Sequence, residues 1–263
     1  MFSRRILYNF TVTYFPFIVV LLFRLRGLFL KSSEDRFFLE RDGSRFYFFN
    51  LYRSRLYFFG LENRFSNLLS SYYVDKCNLE TGDIVIDCGA NIGEFALALC
   101  NRYDLKVYCF EPSITPFKCL EKNVASIPSI VAINAGLGTS DTHMILYDKP
   151  ASADSSFIDP GGASEILTKV VSGQSFFSEY NIGNIKLLKV EAEGYEPEVL
   201  EGFKNVLPCI DYISVEMSNE RGLSNDFTIC DCVNYLLGNG FKMVEFSPSR
   251  FVGLFVNANR LAD

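Results

Sequence analysis

The segment Leu187 to Gly194, Leu-Leu-Lys-Val-Glu-Ala-Glu-Gly, places three charges at alternate positions. On a strand, Lys189, Glu191 and Glu193 share one face, while Leu188, Val190 and Ala192 occupy the other. Charges at the end of an otherwise apolar strand are costly to bury without a task. The next apolar strand, Ile213-Ser214-Val215, also ends in a carboxylate, Glu216. Glutamates gathered near one cleft raise each other's proton affinity and supply a general base. The same oxygens suit a hard divalent cation such as Mg²⁺, with the base reading slightly ahead. A solvated strand end with a surface salt bridge is the plainer alternative. It ranks lower because two strands end the same way.

A second group of residues points to what that base would serve. Val85-Ile86-Asp87-Cys88-Gly89-Ala90-Asn91-Ile92-Gly93 is an apolar run that reaches an acid and then breaks into a glycine-bearing turn. Apolar residues resume with helical spacing at Phe95, Ala96, Leu99 and Cys100. This is how a buried parallel strand hands over to a helix beneath a nucleotide-like ligand. Gly89 and Gly93 are expected to let the backbone approach that ligand. Another apolar strand, Lys106 to Phe110, ends in Glu111-Pro112, and the Glu111 carboxylate suits the two hydroxyls of a ribose. A dinucleotide site wants G-x-G-x-x-G, whereas these glycines stand as G-x-x-x-G behind Asp87, with no Lys or Arg in the loop. An acid there repels a pyrophosphate and suits a zwitterionic amino acid. S-adenosylmethionine fits better than NAD.

The elements that would position these groups alternate strand and helix. Strands are expected at 84–88, 106–110 and 130–134, with helices at 93–102 and 115–125. A strand near 143–147 follows, within a polar stretch whose length marks an insertion or substrate loop. Then come a strand at 186–192, a helix at 196–205, a strand at 210–216, a helix at 227–239 and a closing pair at 241–247 and 252–256. Right-handed crossovers stack these into a doubly wound α/β domain with an edge hairpin, its ligand at the carboxyl ends of the strands. Arg36 to Phe49 reads as a β-hairpin turning at Asp42-Gly43, and Leu61 to Tyr73 as a helix leading into the core.

The 263 residues suffice for one sizeable domain and an appendage. The net charge of −6 hides an asymmetry. Through Arg64 there are eleven Lys/Arg against five Asp/Glu, and fourteen against twenty-six thereafter. An acidic body argues against a nucleic-acid substrate. The eight cysteines form no CxxC and sit mostly in apolar patterns, so they are expected as buried free thiols. His143, the sole histidine, reads as an ordinary surface residue.

Ile6 to Phe23 is an uncharged run of eighteen residues between Arg4-Arg5 and Arg24. As a helix it would reach roughly 27 Å, borderline for a bilayer core of about 30 Å. Residues 6–23 are expected to associate with a membrane, as a spanning anchor or an in-plane helix, with a helix packed on the protein as the alternative. Were it to span, the following basic residues and the catalytic domain would lie on the cytoplasmic side.

Four motifs in this order and spacing resemble the FkbM family of S-adenosylmethionine-dependent methyltransferases. They are Val-Ile-Asp-Cys-Gly-Ala-Asn-Ile-Gly at 85–93, Phe-Glu-Pro at 110–112, Asn-Ala-Gly-Leu-Gly at 134–138, and Leu-Lys-Val-Glu-Ala-Glu-Gly at 188–194. The resemblance covers about Asp83 to Phe246. It implies a class I methyltransferase (Rossmann-like) three-layer fold, a mostly parallel seven-stranded sheet with the last strand antiparallel. It also implies that Asp87, Gly89, Asn91 and Gly93 line the methionine side of the cofactor. Glu111, with Pro112 beside it, would hold the ribose, and Lys189, Glu191 and Glu193 would face the transfer cleft. Glu191 stands where the family usually has Asp.

The organisation expected is therefore a membrane-associating segment over 1–31, a hairpin-and-helix extension over 32–78, and the methyltransferase domain over 79–263. The activity expected is O-methylation of a hydroxyl on a glycan, glycolipid or similar small molecule. Residues 139–185 would carry acceptor specificity, with Ser155 and Ser156 near the acceptor. Two rivals are a nicotinamide-dependent sugar oxidoreductase and a membrane-tethered cofactor-binding module without transfer activity.

Overall fold

The apolar strands predicted from the sequence assemble side by side in a computed structural model that describes residues 16–24, 29–33, 36–41, 44–149 and 154–260. Four parallel strands form its centre: β4 (Ile84–Cys88), β5 (Lys106–Phe110), β10 (Ile185–Val190) and β11 (Ile210–Glu216). After the short antiparallel pair β12 (Asn219–Arg221) and β13 (Asp226–Phe227), which stands apart from this sheet, come β14 (Phe241–Ser247) and β15 (Val252–Asn257), and with β6 (Ile130–Ile133) the order is β14-β15-β11-β10-β4-β5-β6. The expected closing hairpin is present. β15 inserts antiparallel between β11 and β14, leaving β14 at the edge.

The central strands are buried on both faces, so apolar residues dominate them without strict alternation, with Asp87 and Lys189 as buried charged exceptions. Two cores result. On one face Val85, Val107 and Leu187 pack beneath α2 (Leu61–Ser71), α3 (Glu94–Cys100) and α4 (Ile114–Val124). On the other, Ile86, Leu188 and Ile213 pack beneath α5 (Gly173–Glu179), α6 (Glu196–Gly202) and α7 (Ile229–Gly238). The result is the three-layer arrangement expected.

The front end builds more than a hairpin. β1 (Phe29–Ser33), β2 (Arg36–Arg41) and β3 (Ser44–Phe48) make a three-stranded antiparallel sheet, and the Asp42-Gly43 turn lies outside the described residues. This sheet is fastened to the domain by Asn123 of α4. Its Oδ1 accepts from the Tyr47 N–H at 2.7 Å, and its amide donates to the carbonyls of Tyr47 and Ile92, both at 2.9 Å. One side chain thus links the extension to the glycine turn.

The spanning helix expected over 6–23 is not found among the described residues, and most of that run lies outside them. Residues Pro16–Arg24 form the nine-residue helix α1, about 13 Å long. Val19 and Phe23 are buried, the latter edge-on to Phe58 at 5.8 Å between centroids, while Val20, Leu21 and Leu22 are exposed. No described helix is long and apolar enough to cross a membrane.

The 139–185 stretch is more regular than its polar sequence predicts. β8 (Thr142–Asp148) and β9 (Ser164–Ser172) pair antiparallel, and β7 (Gly136–Gly138) pairs parallel to β9. β9 escaped the sequence reading because its first four residues are all exposed, so no alternation marks it. All eight cysteines are free thiols, and His143 is an exposed residue of β8.

Candidate active site

A cleft of about 200 Å³ opens at the carboxyl ends of β4, β5 and β10. Gly89, Asn91, Glu111, Pro112, Lys189, Glu191 and Glu193 line it together, bringing most of the predicted site residues to one place. The extension contributes Arg53, Arg64, Leu68 and Tyr72 to the same wall.

Glu111 closes the β5 end. Its Oε2 accepts from the Asn91 N–H at 2.8 Å and its Oε1 from the Ser113 N–H at 2.9 Å. Each oxygen keeps lone-pair capacity for a further donor, which suits a vicinal diol. Burial pushes this carboxyl up to about 7, although the two N–H groups pull it down. The buried Ser113 hydroxyl and Asn91 side-chain carbonyl have no protein partner among the described residues. Polar groups left open beside a carboxylate are what a bound ribose would satisfy.

Two predicted lining residues sit elsewhere. Asp87 is fully buried beneath the turn, and Gly93 lies under the start of α3 rather than on the cleft wall. The glycines are demanded by the protein's own packing more than by a ligand. Gly89 has φ +75°, and a Cβ there would stand 1.9 Å from the Glu191 carbonyl oxygen. Gly93 has φ +88°, and its Cβ would meet Leu120 at 2.8 Å.

Register explains Asp87. It lies opposite Lys189 on neighbouring parallel strands, with Lys189 Nζ 2.9 Å from Asp87 Oδ1 and 3.0 Å from Glu191 Oε2. The ammonium also donates to the carbonyls of Cys88 at 3.2 Å and Gly89 at 3.0 Å. Burial opposes this charge, but the two carboxylates raise its proton affinity, so Lys189 is a permanent cation. It ties the ends of β4 and β10 together.

The model of the methyltransferase FkbM domain matches residues 87–243, more than half of the chain. The chain belongs to the FkbM methyltransferase family. Among curated relatives, the hexuronic acid methyltransferase AglP of Haloferax volcanii is 29% identical over 140 residues, covering 52% of this chain and 57% of AglP. The chain thus spans little more than half the length of that relative. The 31-O-demethyl-FK506 methyltransferase FkbM of Streptomyces tacrolimicus is 25% identical, covering 71% and 85%. The solved structure of M. capricolum TrmK with S-adenosylhomocysteine aligns at 14% identity and TM-score 0.43, over 73% of this chain and 70% of its own. The family match makes this a methyltransferase domain of the FkbM type, which the nicotinamide-dependent oxidoreductase reading does not fit.

Within this FkbM domain the glutamates that looked alike in sequence have opposite electrostatics. Glu191 is half-buried, with its side chain 30% exposed, and desolvation disfavours its charge, yet Lys189 and Arg250 outweigh that and hold it down at about 2. Its Oε1 lies 3.6 Å from Arg250, so the methylene that Glu adds over Asp carries the carboxylate between two cations. A carboxylate so stabilised is a poor base. Glu193 goes the other way. Burial and the neighbouring carboxylates of Glu220, Glu191 and Asp154 push it well above the ordinary range.

Local backbone accounts for this divergence. β10 ends at Val190, and Glu193 takes φ +53°, so the strand alternation predicted to reach 192 stops short. Glu196 shapes the turn, its Oε1 accepting from the N–H groups of Ala192 at 2.9 Å and Gly194 at 3.0 Å. The Ser156 hydroxyl donates to the Glu193 carbonyl at 2.7 Å, while Ser155 lines the cleft itself.

Glu216 is set back from the cleft, accepting from the Tyr72 hydroxyl at 3.0 Å and from Arg250 at 2.8 Å. Burial and Glu191 raise it to about 7 against the pull of Arg250. Tyr72, Arg53, Arg250, Asp154 and Glu220 were invisible as site residues in the sequence because no local motif carries them. No group of three or more His, Cys, Asp or Glu among the described residues could hold a metal ion.

Proposed function

We propose that this enzyme O-methylates a hydroxyl of a glycan, glycolipid or similar small molecule, with Glu193 as the proton acceptor. The observation that carries the reading is the divergence of the two cleft glutamates. Glu191 is neutralised between Lys189 and Arg250, whereas Glu193 has a raised proton affinity beside Glu220. S-adenosylmethionine, when bound, supplies an electrophilic methyl group. Glu111 would hold its ribose hydroxyls, and the turn from Gly89 to Asn91 would run alongside its amino-acid end.

The protein's own work is then positional and acid–base. Lys189 fixes the ends of β4 and β10, which keeps Glu191 and the Gly89 turn in register. Glu193 takes the proton that leaves the acceptor hydroxyl. Holding the oxygen in near-attack contact supplies much of the rate. The name of FkbM places its methyl on an oxygen of a small molecule, which supports O-methylation, and AglP, named for hexuronic acid, supports a sugar-like acceptor.

The exposed apolar residues of α1, flanked by Arg24, would let it lie against a membrane surface. Flotation with anionic vesicles tests this: the full chain should float, and the variant Leu21→Asp should not. For the chemistry, purified protein is incubated with methyl-labelled S-adenosylmethionine and a panel of sugars, uronic acids and glycolipids. Label in an alkali-stable ether on one acceptor class supports the reading. Label only on nitrogen or carbon would overturn it.

A further inference from the structure

We propose that Arg53, which lies outside the matched methyltransferase domain, receives the α-carboxylate of the cofactor's amino-acid moiety. The inference rests on the cofactor seat described above. That seat has an order: Glu111, the ribose acceptor, stands at the end of β5, and Glu191 at the end of β10 on the other side of β4. An amino-acid moiety running from Glu111 across the Gly89 turn would pass the wall that Arg53, Arg64, Leu68 and Tyr72 build in the same cleft.

Four cations line the cleft, namely Arg53, Arg64, Lys189 and Arg250. Three are committed. Lys189 has its two carboxylates and two carbonyls. Arg64 grips Glu94 with two bonds, at 2.7 Å and 3.1 Å. Arg250 holds Glu216 and reaches Glu191.

Arg53 differs. Its side chain is 13% exposed, its nearest carboxylate is Glu94 at 3.6 Å, and that carboxylate is already held by Arg64. Its buried Nε has no hydrogen-bond partner among the described residues. A buried donor without an acceptor is costly, and a guanidinium fork matches a carboxylate with two parallel bonds. Glu94 directly follows Gly93, so this open guanidinium stands over the far end of the glycine turn. The Phe49 ring, 5.7 Å from its guanidinium carbon, packs on the other side. The extension would thus complete the cofactor seat.

The test is calorimetry on the full chain with two ligands that share the nucleoside thioether. S-adenosylhomocysteine carries the amino acid, and methylthioadenosine lacks it. Arg53→Gln should weaken S-adenosylhomocysteine at least tenfold while changing methylthioadenosine less than twofold. Arg53→Lys should fall between, since it keeps the charge and loses the fork. Retained methylthioadenosine binding shows that each variant is folded. Equal losses on both ligands, or no loss on either, would overturn the assignment. Failure of the wild-type chain to bind either ligand would instead sink the cofactor seat, and the Arg53 assignment with it.

Discussion

Lys189 and Asp87 face each other across two neighbouring parallel strands, with 2.9 Å between Nζ and Oδ1 and almost no solvent on either. A buried pair of this kind is weak evidence of net stability, but removing one partner strands the other charge. Lys189→Met is therefore expected to cost about 3–5 kcal/mol, measured by urea unfolding. The double variant Lys189→Met with Asp87→Asn should recover part of that loss.

Gly89 makes the clamp possible by letting the turn touch the end of β10. Gly89→Ala combines a left-handed backbone with a 1.9 Å clash against a carbonyl oxygen. The expected destabilisation is about 2–5 kcal/mol, read as a fall in the urea midpoint at unchanged slope. A neutral outcome would mean the turn is looser than the packing implies.

Glu191 sets an acid limit on stability. Its folded value of about 2 lies below the ordinary 4.5, so its contribution is present above about pH 4.5 and lost as pH falls toward 2. Glu191→Gln should remove that part of the acid dependence, seen by comparing unfolding at pH 6 and pH 3.

Cofactor affinity should depend on pH through Glu111, whose carboxyl sits at about 7. Only the ionised form accepts from both ribose hydroxyls. Binding of S-adenosylhomocysteine is expected to tighten as pH rises from 6 to 8. Glu111→Gln should weaken it about tenfold and flatten that dependence, as expected for loss of a charged hydrogen bond.

Glu220 should tune the base rather than replace it. Its carboxylate is a leading cause of the raised proton affinity of Glu193. Glu220→Gln is expected to move the ascending limb of the activity profile to lower pH with maximal turnover retained. An unmoved limb would detach Glu220 from the chemistry.

The strands and the glycine turn were legible because the buried parallel strands are mostly apolar and because Gly89 takes a left-handed φ hard against the Glu191 carbonyl. The roles within the cleft were less so. Alternation put Lys189, Glu191 and Glu193 on one face, but it could not show that register sets Lys189 against Asp87. Nor could it show that Glu193 leaves the strand with φ +53°. Arg53, Tyr72 and Arg250 come from segments far apart in sequence and meet only through tertiary packing. The apolar run before Arg24 is borderline in length for a bilayer, and composition alone leaves spanning, in-plane and packed helices open; its described part packs Val19 and Phe23 inward.

The most direct measurement is labelled-methyl transfer to a responsive acceptor by the wild type, Glu193→Gln and Glu191→Gln at saturating S-adenosylmethionine. Glu193→Gln should lose about 10²–10⁴-fold in turnover while still binding S-adenosylhomocysteine, as expected for loss of a general base. Transfer by Glu193→Gln at the wild-type rate would contradict Glu193 as the proton acceptor.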